Sequence, residues 1–322
     1  MAVVRFVWNL ILAVLLIALI ALVLGTAFGL VAARAWETDG LDDGRAESTW
    51  LWIDGQPIYY QALGDEEGPC VVLVHGHAPE GSETWTRNTS ALVRSGLRVI
   101  SVDLRGYGRS QRSDEQVYSV RQQADLLASV LNNLQVSDAI VIGHDLGSAV
   151  ALQMALDQPQ FVGRLVLIAP RLERQEDPLW EWALKIPYVR RAALWARWGG
   201  GPLLGLERKS AFADQTQVTN DYLRSVRAYT HIEGSIAAVE AMVLTPADSD
   251  LPEALEGLDV PVLVLLGSDD RVVTGEQVDA WVGRMPAADV ETISDAGHYP
   301  HYEQSGVVNQ RLLVLAAEAR NP

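Results

Sequence analysis

The stretch Val141-Ile142-Gly143-His144-Asp145-Leu146-Gly147-Ser148 decides how this chain is read. Just before it, Ala139 to Ile142 is short, apolar and rich in β-branched residues, the pattern of a buried strand. After it, Ala149 to Leu156 stays apolar over a helical length. Gly143 and Gly147 flank the turn between the two, where a side chain would collide with neighbouring backbone. Asp145 therefore stands at the apex of a sharp strand–turn–helix. Taken alone, such a turn has a reactive apex or no chemical role at all. The rest of the chain decides between these.

Strand patterns surround the turn. Trp50 to Ile53 and Ile58 to Tyr60 are short strand-like runs separated by Asp54-Gly55, a hairpin signal. Val71 to Val74, Leu97 to Val102, Leu165 to Ala169 and Val260 to Leu266 are continuous apolar runs, as expected of strands buried on both faces. Helical patterns lie between and after them at Val120 to Leu134, Leu146 to Asp157, Gly275 to Arg284 and Val307 to Ala319. Strands alternating with helices predict an α/β fold, a mostly parallel sheet with helices on both faces.

The alternation breaks between Arg171 and about Asp250. This region is rich in Trp, Arg, Leu and Tyr and reads as several helices, with Gly199-Gly200-Gly201-Pro202 as a break between two of them. An insertion after a parallel strand lies over the C-terminal strand ends, where ligands bind in open α/β sheets. A helical cap over the site is the expectation.

Of the 322 residues, 25 are basic and 41 acidic, a net charge of −16. No basic patch is available to neutralise phosphates, so nucleic acid is not expected as a partner. The single cysteine, Cys70, permits no intramolecular disulfide and reads as a small buried hydrophobe. Phe6 to Ala33 carries no charge. About 20 such residues cross a bilayer, so this run spans one with tilt to spare. Ala33-Arg34-Ala35 resembles a signal-peptide cleavage site, but signal-peptide apolar regions run to only about 7–15 residues. An uncleaved, single-pass anchor is predicted. Arg5 lies on one side and Arg34 and Arg45 on the other, which does not fix the side of the folded unit. The expected organisation is an anchor over 1–35, a polar acidic linker over 36–49, a core over 50–170, the cap over 171–250 and the rest of the core over 251–322. The anchor is expected to be dispensable for chemistry.

Four stretches at strand ends carry the polar residues. His75-Gly76-His77 follows the Val71 strand, and Gly76 would let the backbone pass close to a ligand. The amides of His77 and Leu146 are then the two donors available to a developing oxyanion. A metal held by His75 and His77 lacks further ligands of suitable spacing. Neither a metal nor a cofactor is expected. Asp103 and Arg105, in Asp103-Leu104-Arg105-Gly106-Tyr107-Gly108-Arg109-Ser110, are expected to pair structurally. The elbow itself is the third stretch. The fourth combines Gly267-Ser268-Asp269-Asp270 with Gly297-His298-Tyr299-Pro300-His301: an acid at one strand end and a His at the next can meet at Asp145. Asp270, one residue further into its loop, is preferred to Asp269. His298, held between Gly297 and Pro300, is preferred to His301.

From about Trp50 to the end, these motifs in this order resemble the α/β-hydrolases. The closest likeness is to the members with an Asp nucleophile, the epoxide hydrolases and haloalkane dehalogenases. The resemblance rests on His75-Gly76, Asp103 with Gly106 to Ser110, Gly143-His144-Asp145-x-Gly147, Gly267-x-x-Asp270 and Gly297-His298-x-Pro300-His301. It implies the α/β-hydrolase fold with a helical cap and a triad of Asp145, His298 and Asp270. It also implies a small lipophilic substrate contacted by His75, His144, Trp85 and the cap tyrosines Tyr222 and Tyr229; Tyr188 is a further cap tyrosine. Both families usually place Trp after the nucleophile, where this chain has Leu146. Epoxide hydrolases typically have Pro where it has Ala78.

A carboxylate is ionised at neutral pH, its ordinary pKa being about 3.9. Its attack on an acyl carbon would give an anhydride, whereas attack on a saturated electrophilic carbon gives an ester that water can hydrolyse. His298 is then the base for that water. This chemistry suits an epoxide first and an alkyl halide second, with Trp85 or Trp180 as halide donors in the latter case. A non-catalytic binding protein of the same fold is the third possibility, favoured by Leu146 and opposed by the complete set of acid and His.

Overall fold

The computed structural model describes residues 2–38, 40, 49–112, 118–172, 184–198, 202–245, 251–285 and 287–320. Helix α1 (Ala2–Trp36) precedes an eight-stranded sheet: β1 (Thr49–Ile53), β2 (Gln56–Leu63), β3 (Cys70–Val74), β4 (Arg98–Val102), β5 (Ala139–His144), β6 (Val162–Ile168), β7 (Val262–Gly267) and β8 (Ala288–Ile293). The order across the sheet is β1-β2-β4-β3-β5-β6-β7-β8, with β2 antiparallel to its neighbours β1 and β4. From β4 to β8 every neighbouring pair is parallel. The β1–β2 hairpin turns on Asp54 and Gly55 with φ of 52° and 74°, the two positive values that a tight hairpin needs.

Alternate strand residues build two apolar layers. Val72, Val74, Ile100, Val102, Val141 and Val264 face α3 (Val120–Asn133) and α4 (Leu146–Asp157). Val71, Leu73, Val99, Ile140, Ile142 and Leu265 face α2 (Thr86–Arg94) and α12 (Ser305–Arg320). Burial on both faces explains why these strands read as unbroken apolar runs. Edge strand β8 is half exposed and half polar, so its own pattern is faint in the sequence. Helix α10 (Gly275–Val282) connects β7 to β8, and α11 (Pro300–Glu303) precedes α12.

Between β6 and β7 no strand occurs among the described residues. The chain instead forms α5 (Pro187–Arg197), α6 (Pro202–Ala211), α7 (Asn220–Thr230), α8 (Ser235–Leu244) and the short α9 (Leu251–Ala254). Residues 199–201 of the expected break lie outside the described residues, as do Trp180 and 41–48 of the expected linker. This cap is fastened to the core. A buried ion pair joins Arg208 of α6 to Glu80 at 2.8 Å, and Arg208 also donates to the Tyr299 hydroxyl. Phe212 stacks on Tyr299 at 5.1 Å.

One expectation needs correction. Helix α1 is joined to the rest of the chain by more than the short linker expected over 36–49. Its C-terminal part packs on cap helix α5, so tightly that a Cβ on Gly29 would come within 2.4 Å of the Ala192 Cβ. Trp36 stacks on His231 at 4.2 Å and donates its indole N–H to Thr230 Oγ1 at 2.9 Å. No periodicity within 1–36 signals this, because the partners lie about 195 residues away.

Candidate active site

Asp145 joins β5 to α4 with φ 51° and ψ −116°, a conformation that a non-glycine residue adopts only when its surroundings impose it. Two close approaches impose it here. A Cβ on Gly143 would sit 2.3 Å from the Gly147 carbonyl oxygen, and a Cβ on Gly147 would sit 2.3 Å from that of Val74. The Asp145 N–H donates to the Ile168 carbonyl at 3.0 Å, which ties the apex to neighbouring strand β6. The carboxylate is thereby presented at the strand ends.

The end of β3 supplies the first partner. A Cβ on Gly76 would fall 2.6 Å from the Asp145 Cβ, so only glycine lets this loop pass. The His77 N–H then donates to Asp145 Oδ2 at 2.8 Å. The Leu146 N–H, expected as a second donor, makes no hydrogen bond to the carboxylate. Leu146 is the first residue of α4 and its side chain packs on the core.

The ends of β7 and β8 supply the next two. Asp270 Oδ1 accepts from the amides of Val272 and Val273 at 2.7 and 3.0 Å, while its Oδ2 lies 3.0 Å from His298 Nδ1. That pair fixes His298 Nδ1 as the protonated nitrogen. His298 Nε2 lies 3.8 Å from Asp145 Oδ1, a charge contact too long for a hydrogen bond. The imidazole thus stands between two carboxylates. Burial alone would lower its pKa, but Asp145 and Asp270 outweigh that and hold it up at about 9. The His298 N–H donates to the Ala211 carbonyl at 2.7 Å, so the end of α6 braces this loop.

Arg171 completes the site and was not anticipated. Its Nε lies 2.8 Å from Asp145 Oδ1 and its NH2 group 3.2 Å from Oδ2. Burial would raise the Asp145 pKa, but Arg171 foremost, then His77 and His298, pull it well below the ordinary carboxylate range. Oδ2 takes aligned hydrogen bonds, whereas Oδ1 has none despite the nearby guanidinium. Arg171 NH2 also lies 2.6 Å from His77 Nδ1, which is itself 2.9 Å from Oδ2. That nitrogen either accepts from Arg171 or donates to Asp145, not both. The signal for Arg171 lay in strand order: β5 pairs with β6, and His144 is in register with Ile168. An Arg three residues beyond Ile168 therefore stands beside Asp145.

The candidate substrate contacts fare differently. His75 is fully buried, with Nδ1 donating to the Gly76 carbonyl at 2.7 Å and Nε2 accepting the Leu104 N–H at 2.9 Å. Both nitrogens are committed to the loop, so it has none left for substrate. His144 is buried among the rings of His298, Tyr299 and His301, at 5.0, 4.9 and 4.5 Å, and its Nε2 donates to the His298 carbonyl at 2.8 Å. Burial first, then the neighbouring His298, lowers its pKa to about 3, so it is a neutral support for the His298 loop. Trp85 lies in the core against His301 at 4.4 Å, its indole N–H enclosed without a partner. Tyr222 packs against Phe212 and Tyr302. The Tyr229 hydroxyl accepts from Arg109 at 2.8 Å. Neither cap tyrosine bonds to the Asp145 carboxylate.

Tyr107, on the loop after β4, lies nearer: its ring is 6.4 Å from that of His77, and burial first and then the Asp145 charge raise its hydroxyl pKa. The expected pairing of Asp103 with Arg105 is also corrected. Asp103 accepts instead from the amides of Ser82 and Arg109, at 2.6 and 2.8 Å, and the Arg105 N–H donates to Gln123 Oε1. A carboxylate surrounded by amides needs no cation.

The profile of the Alpha/beta hydrolase family matches residues 71–311. A haloalkane dehalogenase of Mycolicibacterium paratuberculosis is 27% identical over 278 residues, covering 81% of this chain and 88% of that protein. Among solved structures, a meta-cleavage product hydrolase from Pseudomonas fluorescens IP01 superposes with a TM-score of 0.71 at 22% identity, over 84% of this chain and 98% of that one. A membrane phospholipase A superposes with a TM-score of 0.68 at 21% identity, over 99% of each chain, so this likeness of fold takes in α1. With the profile running from β3 into α12, over a mostly parallel sheet that carries a strand–turn–helix elbow, the chain belongs to the α/β hydrolase family.

Proposed function

We propose that Asp145 is the nucleophile of a hydrolase that opens epoxides through a covalent ester, and that α1 holds the enzyme at a membrane. The observation that carries the reaction is the position of His298, 3.0 Å from Asp270 Oδ2 and 3.8 Å from Asp145 Oδ1. An imidazole between two carboxylates holds a proton in the resting site. Asp145 Oδ1, which lacks an aligned hydrogen bond, attacks the epoxide carbon and breaks its C–O bond. Oδ2 becomes the ester carbonyl oxygen and keeps the His77 amide.

In-line attack puts the opened oxygen on the side away from Asp145. That oxygen needs one proton, and His298 holds one, relayed through water. Once Asp145 is esterified its charge is gone, and the His298 pKa falls. The neutral imidazole then takes a proton from water as it attacks the ester. Hydrolysis releases a diol and restores the Asp145 carboxylate and the His298 proton. Arg171, 2.8 Å from Oδ1, weakens Asp145 as a nucleophile, but its NH2 group, 3.2 Å from Oδ2, sets a cation next to the oxygen on which negative charge develops in ester hydrolysis.

Haloalkane hydrolysis is the second reading, favoured by the 27% identical dehalogenase. It shares the first step. It consumes no proton, and it calls for a halide donor that neither Leu146 nor the enclosed indole of Trp85 supplies.

The test is mass spectrometry of His298→Ala after prolonged incubation with epoxides and bromoalkanes at mildly acidic pH, where solvent supplies the proton that His298 would give to the opened oxygen. Without the base, the ester should persist on the peptide carrying Asp145. An epoxide adds its whole mass; a bromoalkane adds only the alkyl group. An adduct from bromoalkanes alone would replace the epoxide reading, and no adduct with either class would remove both.

Membrane attachment is supported by α1, in which Val4–Trp36 is long and apolar enough to cross a bilayer. After alkaline carbonate extraction the full chain should stay with the membranes. Its release would sink this part of the proposal.

A further inference from the structure

The contacts of α1 give the cap a direction. Ala192 of α5 packs on Gly29. One turn further along α5, Trp195 meets both Phe28 and Trp36, at 6.1 and 6.4 Å. Helix α5 therefore advances along α1 in the same sense. Helix α8 starts at the other end of this contact. Glu37, just beyond α1, accepts the Ile236 and Gly234 amides at 2.6 and 3.3 Å and so caps the start of α8. Along α8, Glu240 pairs with Arg190 of α5 at 2.7 Å. Helix α8 thus runs from the Glu37 end of α1 back towards the Gly29 level.

Two chain ends meet where α1 leaves the cap: the start of α5, at Lys185-Ile186, and the end of α8, at Leu244. Both apolar residues there are exposed, Ile186 by 37% and Leu244 by 54%. Lys185 is exposed beside them, with no acidic partner among the described residues. On the same side, α1 is exposed throughout Val4–Gly25. Of the basic residues in the described parts of 184–211, Arg190 and Arg191 lie against Glu240, Arg197 against Glu207 and the buried Arg208 against Glu80, which leaves Lys185 and Lys209 without an acidic partner among the described residues. An exposed apolar edge bordered by a free lysine, continuous with an apolar helix, has the composition of a membrane-interface element.

We propose that this edge of the cap, Lys185-Ile186 and Leu244, is seated in the headgroup region of the bilayer that α1 crosses. The occupant of the exposed edge is lipid, and the Lys185 ammonium faces anionic headgroups. The inference rests on the reading of α1 as a membrane span. It deepens that reading: the helices neighbouring α6 are held at the surface where an apolar epoxide concentrates.

The test uses the full chain in vesicles containing anionic lipid, with Cys70, the one native cysteine, replaced by Ala. Single cysteines at Ile186 and Leu244, each carrying an environment-sensitive fluorophore, are compared with Leu16 in α1 and Val290 on edge strand β8. Lipids brominated near the headgroup should quench most of the emission at 186 and 244, deep bromines should quench position 16, and aqueous iodide should quench position 290. If position 16 is lipid-quenched while 186 and 244 respond to iodide as position 290 does, the anchor stands and the seated edge is wrong. If 186 and 244 are shielded from both quenchers, protein covers the edge, and the proposal is equally overturned. If position 16 is not quenched by lipid, the span itself fails and the proposal goes with it. Position 186 precedes α5 and position 244 ends α8, so a disturbance of one by labelling leaves the other as an independent reading.

Discussion

Two buried aspartates stand at strand ends of the same sheet, Asp103 after β4 and Asp145 after β5, and they are held in opposite ways. Asp103 is fully buried and accepts from the backbone amides of Ser82 and Arg109. A Cβ on Gly81 or Gly108 would strike its carboxylate at 2.5 or 2.0 Å. Backbone closes round it on every such side, so it can fix a loop but cannot meet a substrate. Asp145 is nearly as buried, yet besides the His77 amide its partners are side chains: Arg171, the His77 ring and His298. Side chains can move aside or change charge as a reaction proceeds. Burial does not separate the structural acid from the chemical one; the nature of the partners does.

The largest test of this contrast sets Asp145→Asn against Asp103→Asn. The first removes the charge and keeps the shape. Turnover of the folded protein should fall by about 10³-fold or more, by comparison with other triad deletions, a loss far larger than any shift of the thermal transition accounts for. Fresh, mass-checked protein is needed, because water directed by His298 would slowly return Asn to Asp. The second should leave two buried amides with a poorer acceptor and cost about 1–3 kcal/mol of stability, read as an earlier thermal transition, with activity lost only in step with folding. If the two variants exchanged these behaviours, the assignment of Asp145 as nucleophile would be wrong.

A smaller effect sharpens the epoxide reading against the halide one. His298 is held protonated up to about pH 9, and epoxide opening consumes that proton. The single-turnover rate of ester formation from an epoxide should therefore drop about tenfold per pH unit above 9, while ester formation from a bromoalkane should stay level. The stability has a matching sign. A raised folded-state pKa contributes stability that is complete below the unfolded value of about 6.5 and is lost as pH rises through 9. Flat kinetics with the epoxide across this range would remove His298 as the proton source.

Smaller again is the effect of Arg171→Gln. Arg171 is the largest of the influences that hold the Asp145 carboxyl low. Without it the acid limb of the rate profile should move up, because an adjacent opposite charge that favours the ionised carboxylate is gone. The stability that Asp145 contributes is present above its unfolded pKa and is lost as pH falls through the folded one, so the variant should also lose stability at a higher pH than the parent. An unmoved acid limb would mean that the limb belongs to another group.

Much of the site is legible in the chain because strand ends are written locally. A glycine before and after Asp145, a glycine at 76 and an acid and a His after successive strands are all short-range patterns, and the parallel sheet brings them together. The continuous apolar runs likewise mark β3 to β7, since both faces of those strands are buried. What escaped prediction depends on partners far away in sequence. Arg171 follows no motif and gains meaning only from the pairing of β5 with β6. His75, placed by its motif among the substrate contacts, is committed by the Leu104 amide to a loop. The clasp of Trp36, Glu37 and Gly29 with the cap has no local signature, because a glycine and a tryptophan at the end of an apolar helix look the same whether they face lipid or protein.

That clasp sets the last and smallest prediction. A cut at residue 35 would expose Ala192 and Trp195 of α5 and leave Trp36 as a chain end, although Trp36 and Glu37 together hold Thr230, His231 and the start of α8. A cut at residue 25 removes a stretch exposed throughout Val4–Gly25 and keeps the packed turns from Thr26 onward. In detergent, the chain lacking residues 2–25 should turn over a small water-soluble epoxide within a few-fold of the parent and unfold at the same temperature. The chain lacking residues 2–35 should unfold earlier, by an amount set by burial at about 25 cal/mol for each Å² of apolar surface newly exposed on α5. Turnover should change less than stability, since Asp145, His298 and Asp270 all lie in the core. Equal transitions for the two truncations would mean that the packing of α1 against α5 contributes nothing, and that the helix is the separable anchor its sequence suggests.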